Sequence, residues 1–178
     1  MTMQTANFKL QTSNSKLQSE GEGQPLKFEG GNLEFHIVAF CCHYCAYAAA
    51  DLAGSLRIQH PASVKVVKIP CTGKLDVQLA LDAFEHGADG VMVAGCLEGD
   101  CHYQQGNFSA RRRVTRVKAL LKEIGLEPDR ARMFNMSSAM GKQWAEAVTE
   151  MDAQVRALGP SPLRTPDRCS ETYQGCRG

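Results

Sequence analysis

Val91-Met92-Val93-Ala94-Gly95-Cys96-Leu97-Glu98-Gly99-Asp100-Cys101-His102-Tyr103 is the stretch whose reading decides the fold. An apolar run of strand type gives way to a loop carrying two thiols, and a long helical pattern follows. The order is strand, cysteine loop, helix. Glycine within the loop lets the backbone curl back without Cβ clashes, so Cys96 and Cys101, five positions apart, can converge on one small object. A metal suits two thiols held in this way.

Working outward, the same unit recurs. Upstream, residues 35–40 read as a buried strand and 46–57 as a helix of small residues; 64–69 is a second strand, followed by Cys71-Thr72-Gly73. A helix over about 76–86 is expected to bury Val77, Leu79, Ala80, Ala83 and Phe84 and to stop at Gly87. Downstream, about 107–124 places Val114, Val117, Leu120, Leu121 and Ile124 at helical spacing before Gly125, and 132–135 is a fourth strand. Ser137 or Ser138 can cap a last helix whose Trp144, Val148, Met151, Val155 and Leu158 share one face. Four alternations of strand and helix suit right-handed crossovers. They predict an α/β fold: a four-stranded parallel doubly wound sheet of order 2-1-3-4, with helices on both faces.

The 178 residues fit one domain with tails. Residues 1–33 are polar and Gly-rich and are expected to form a flexible N-terminal arm; 34–158 form the α/β domain; 159–178, opened by Gly159-Pro160-Ser161-Pro162, form an irregular C-terminal tail. With Lys+Arg 20 against Asp+Glu 19, the net charge of +1 supplies no overall field for nucleic acid or an anionic membrane. Neither a signal peptide nor a membrane-spanning run is expected, which implies a cytoplasmic protein. Eight cysteines in such a compartment point to metal binding or thiol chemistry rather than to a disulfide framework.

Six of the cysteines lie in the domain, and Cys169 and Cys176 lie in the tail. Cys41/Cys42, Cys71 and Cys96 each fall at the carboxyl end of a successive strand. Neighbouring parallel strands are ~4.8 Å apart, so adjoining strands one, two and three would deliver sulfur from three loops to within ~10 Å. This edge is where open α/β sheets bind ligands. Cys45 and Cys101 bring the candidates to five, and a closed iron-sulfur or zinc site needs four. Sequence alone does not separate the two metals. Cys42-His43-Tyr44-Cys45 also resembles a thioredoxin-like motif, in which a helix N-terminus lowers a thiol pKa; a thiol-disulfide oxidoreductase using Cys42 and Cys45 is therefore one alternative, and a zinc-stabilised interaction module another.

Residues 42–54, beginning Cys-x-x-Cys-Ala-Tyr-Ala-Ala-Ala-Asp-Leu-Ala-Gly, then Ile69-Pro70-Cys71-Thr72-Gly73-Lys74, then 87–103 resemble the delta subunit of methyl-viologen-reducing hydrogenase. The resemblance covers about 34–157. It implies a [2Fe-2S] cluster, and so selects iron over zinc. It also implies a non-catalytic electron-transfer subunit of anaerobic metabolism, placed between a hydrogenase or other dehydrogenase and the flavin subunit of a heterodisulfide-reductase-like complex. Cys71, Cys96 and Cys101 are the expected ligands, with Cys42 favoured over Cys45 for the fourth. The chain departs from the pattern at Cys41, at His43-Tyr44, where Asn-Trp is expected, and in the cysteine-bearing tail.

Other side chains read structurally. His36, His60 and His86 suit packing or the surface, whereas His102, beside Cys101, can either donate a hydrogen bond to a metal-bound sulfur or lie on the surface. Arg111, Arg112, Arg113, Arg116, Lys118 and Lys122 make the third helix basic, either as a solvated face or as a docking face for an acidic partner.

Overall fold

A computed structural model describes residues 34–164. The expected N-terminal arm lies outside the described residues, as do Cys169 and Cys176. The elements are β1 (Ile37–Cys42), α1 (Ala46–Ser55), β2 (Val64–Ile69), α2 (Val77–Glu85), β3 (Gly90–Gly95), α3 (Gly106–Glu123), β4 (Ala131–Asn135) and α4 (Gly141–Leu158). All strand pairs are parallel, as the alternation predicts, and the order is β2-β1-β3-β4, the order expected above.

The interior strand β3 is buried at every position because helices cover both its faces. At the edge, β2 exposes four successive residues, and its Lys65 and Lys68 discourage pairing with a foreign strand. Alternation along β1 sorts the core into two layers. Ile37, Ala39 and Cys41 join Met92, Ala94 and the α4 residues Trp144, Val148 and Met151 on one face. Phe40 joins Val91, Val93, Phe84 of α2 and Val114, Val117 and Leu121 of α3 on the other.

Three local expectations are corrected. Leu79 is 41% exposed: Ala80 and Phe84 face the core, and Leu79 stands ~100° around the helix from Ala80. Ile124, at 61% exposure, is the C-cap of α3 and lies past its packed face. Neither Ser137 nor Ser138 caps α4, whose N-cap is Met140, without a side-chain cap bond. That helix begins where its backbone can meet α1: a Cβ on Gly141 would come within 3.0 Å of Ala53 N.

Asp89 and Arg130 tie down the chain beyond α4. Asp89, wholly buried, accepts hydrogen bonds from the His36 and Ser161 N–H groups at 2.9 and 2.8 Å and pairs with Arg164 at 3.3 Å. Arg130, 1% exposed, donates to the carbonyls of Asp89 and Gly159 and pairs with Glu127. Residues 159–164 are therefore packed against the amino ends of the strands, opposite to the edge where the thiols gather.

Candidate metal centre

The strands end nearly level, with Cys42 opposite Ile69 and Cys41 opposite Ala94, so the loops that follow start side by side. Cys42 ends β1, Cys45 is the N-cap of α1, and Cys71 N-caps a 3₁₀ turn, Thr72–Lys74. Cys96 follows β3 and Cys101 precedes α3. All five thiols are buried in one cluster separate from the two apolar layers. Cys41 is not among them: the pleat that turns Cys42 to the site sends Cys41 into the α1/α4 layer, where its thiol donates to Ala39 O.

Within the cluster the sulfurs fall into three and two. Cys45 Sγ lies 2.7 Å and Cys42 Sγ 3.7 Å from Cys96 Sγ, and all three sulfurs are within 4.8 Å of one another. Cys71 and Cys101 form the other group, facing Gly106 at the start of α3. A Cβ on Gly106 would overlap Cys71 Sγ and stand 3.1 Å from Cys101 Sγ. Only glycine leaves room for both sulfurs there. Gly73 allows the same approach from the other side, since its Cβ would lie 2.7 Å from Gly106 Cα.

Ionisation is unequal across the group. Cys42 is drawn down to about 5, first by its hydrogen bond with the Cys45 thiol and further by the N–H groups of Tyr44 and Cys45, against the effect of burial. Cys45, the donor in that bond, is pushed above the usual thiol range by it and by burial. Burial raises Cys71, although the Gly73 N–H, 3.3 Å from its sulfur, favours the thiolate. Burial also lifts Cys96 to about 11 against the N–H of His102. Cys101 is the reverse case: burial acts upward, but the N–H groups of Asn107, Tyr103 and Gly106 prevail and lower it. Four of the sulfurs thus face backbone donors, whereas Cys45 is governed chiefly by Cys42, burial and Cys96. Several thiolates this close repel one another, and a bound cation is what would allow them to coexist.

Sequence patterning gives no sign of the residues that support the thiols. Asn107, 2% exposed, donates its amide to Leu97 O at 2.8 Å and Cys96 O at 3.4 Å; Asn135 also donates to Cys96 O. Asn135 ends β4, so the same strand-end argument that gathers the cysteines extends to it. Arg113 belongs by sequence to the basic stripe of α3, yet its guanidinium donates to the carbonyls of Gly73 and Leu75 and clamps the Cys71 loop to that helix. Arg111 pairs with Glu98, and Lys118 with Asp129. The His102 imidazole stacks on Tyr44, and its backbone N–H serves Cys96. Thr72 Oγ1, beside Cys71, is a buried hydroxyl without a hydrogen-bond partner among the described residues.

Soft, buried sulfur donors, backbone N–H groups aimed at them and a glycine cradle fit a thiolate-bound metal or iron-sulfur cluster. Fold and site together define a doubly wound α/β protein with a buried thiol cluster suited to holding a metal. Residues 37–159 match the family described as methyl-viologen-reducing hydrogenase, delta subunit, and the chain belongs to that family. The vhu iron-sulfur subunit of the F420-non-reducing hydrogenase of Methanocaldococcus jannaschii is 52% identical over 128 residues, 72% of this chain and 96% of that protein. The iron-sulfur subunit of the F420-non-reducing hydrogenase of Archaeoglobus profundus is 48% identical over 127 residues, 71% of this chain and 93% of that protein. A Ferredoxin:CoB-CoM heterodisulfide reductase polypeptide of Methanosarcina mazei is 41% identical over 124 residues, which are 70% of this chain but 16% of that much longer protein.

Proposed function

We propose that this chain is a non-catalytic electron-relay subunit that holds one [2Fe-2S] cluster and passes electrons between two partners. One is a hydrogenase or other dehydrogenase-type subunit; the other is a heterodisulfide-reductase-like flavin subunit. The observation that carries the reading is the convergence of five buried thiols from three loops. The names of the relatives support iron and sulfur as the cargo, and the Methanosarcina mazei protein supports a partner of the heterodisulfide reductase type. Among the described residues no helix is long and apolar enough to cross a membrane, and the free thiols suit the reducing cytoplasm.

When bound, such a cluster supplies one-electron chemistry. Four thiolates would hold it, and the grouping of sulfurs supports a division of Cys71 with Cys101 and of Cys96 with one of Cys42 and Cys45, of which the backbone N–H groups facing Cys42 favour Cys42. Cys45 is then the surplus thiol. Backbone N–H groups facing these sulfurs stabilise added negative charge, which raises the reduction potential. Burial of the thiols keeps water from them.

Metal and sulfide analysis of anaerobically isolated protein tests the reading. About two irons and two acid-labile sulfides per chain are expected for this cluster type; stoichiometric zinc without sulfide would overturn it.

The tail supplies a second test. Cys169 follows Arg164 by five residues, a reach of at most ~18 Å from the amino ends of strands that are themselves ~20 Å long, and Cys176, which follows by twelve and has the reach, is surplus to the four ligands supplied by the domain. Truncation after Arg164 should therefore leave iron content and thermal midpoint unchanged. Truncation after Leu158 removes partners of the buried Asp89 and Arg130 and should cost on the order of 3 kcal/mol. Loss of iron from the longer form would mean that a tail cysteine reaches the site.

A further inference from the structure

Four rings roof the thiols and are not needed to hold metal. His43 and Tyr44 lie between Cys42 and Cys45, and His102 and Tyr103 directly follow Cys101. Tyr44 stacks on His102, with centroids 4.1 Å apart and planes 21° from parallel. His43 and Tyr103 meet Tyr44 edge-on at 5.1 and 6.1 Å. The roof thus joins the two cysteine loops across the top of the site. It is also open to solvent: Tyr44 is 45% and Tyr103 53% exposed, although none of the five thiols exceeds 8%. On one flank a cleft of about 260 Å³ runs down to Cys45 and Cys96, with Tyr44, His102 and Met136 also on its walls.

We infer that this ring cluster and its cleft are the docking surface for a redox protein subunit, which presents an apolar, aromatic-bearing patch close to its own cofactor. The inference rests on the relay reading above and adds where the exchange occurs. A buried site can exchange electrons only through the protein around it, and on the side of the sheet its two core layers intervene. The rings are covalent neighbours of the cysteines and reach the surface themselves. No bond forms or breaks at this contact; in each exchange one electron leaves the reduced side and enters the oxidised one.

The composition of the patch also identifies the kind of partner. Tyrosine rings offer large contact area at little cost in conformational entropy and are enriched at the centres of protein interfaces. Among the described residues Asp100 is the sole formally charged one lining the cleft, so contact here relies on shape and stacking. Arg112 and Arg116 lie along α3 and make no ion pair among the described residues; a partner recognised by charge would choose that stripe instead.

Carbene photolabelling of the anaerobically isolated complex, compared with the isolated chain, tests the surface without a variant or an oxidant. His43, Tyr44, His102 and Tyr103 should be labelled in the free chain and protected in the complex. Equal labelling in both, or protection confined to the Arg112/Arg116 stripe, would overturn the proposal. As a second arm, Tyr44→Ala with Tyr103→Ala should weaken association with the co-isolated redox subunit by about tenfold or more at unchanged iron content. The ring-retaining Tyr44→Phe with Tyr103→Phe should bind as wild type. If the alanine pair loses iron, the labelling alone decides. A chain lacking iron and sulfide would defeat the relay reading, whereas a loaded, electron-exchanging chain with unprotected rings would defeat this surface alone.

Discussion

Cys71→Ser, Cys96→Ser and Cys101→Ser are each expected to bring retained iron, after anaerobic gel filtration, below about a tenth of the wild-type level. Cys71 is the sole thiol of the loop after β2, Cys96 and Cys101 share the loop before α3, and a site assembled from separate loops couples metal binding to local folding. Cys41→Ser should retain iron, because its thiol lies in the α1/α4 layer on the far side of the sheet. The pair Cys42 and Cys45 is the informative comparison. Cys42 faces two backbone N–H groups and is held toward the thiolate, whereas Cys45 serves as a thiol donor to its neighbours. Iron should accordingly be lost in Cys42→Ser and kept in Cys45→Ser. The opposite result would make Cys45 the fourth ligand, and a normal visible spectrum in Cys71→Ser would remove the loop after β2 from the site.

Gly106→Ala should be as damaging as loss of a ligand, although it leaves every thiol in place. Its Cβ would overlap Cys71 Sγ, crowd Cys101 Sγ and stand 3.5 Å from Gly73 N, so α3 and the Cys71 turn would have to part to admit it. Iron retention is expected to fall about tenfold or more, comparable to the loss of a supporting contact at a metal site, with the helical circular dichroism largely preserved. Gly54→Ala is the control: it lies in α1 with nothing within 4 Å of its Cβ, and it should stabilise the protein by about 0.5–1 kcal/mol. Wild-type iron content in Gly106→Ala would show that Cys71 and Cys101 do not share that cradle in the loaded protein.

Much of the candidate site was legible because its thiols follow strands. Cys42, Cys71 and Cys96 each close or succeed an apolar run, and parallel strands in one sheet bring such positions together whatever the intervening helices contain. The supporting shell was not legible in this way. Arg113 sits in a run of basic residues that reads as a solvated face, and only the approach of the Cys71 loop turns its guanidinium inward to two carbonyls. Asn107 reads as an ordinary early helix residue until the loop carrying Cys96 passes over it.

By itself the sequence determined the alternation of elements, the parallel sheet, the strand-end position of Cys42, Cys71 and Cys96 and the family, because hydrophobic period, glycine stops and motif spacing are carried by neighbouring residues. The tertiary structure alone decided the grouping of the sulfurs, the burial of Cys41 in the α1/α4 layer, the cradle at Gly106 and the joining of His43-Tyr44 to His102-Tyr103. These depend on register, on the direction of the pleat and on contacts across 30 to 60 residues of chain. The backbone N–H groups that face Cys42, Cys71, Cys96 and Cys101 come from each thiol's own loop, two to six residues on; which sulfurs then share a site follows only when the loops are closed against one another.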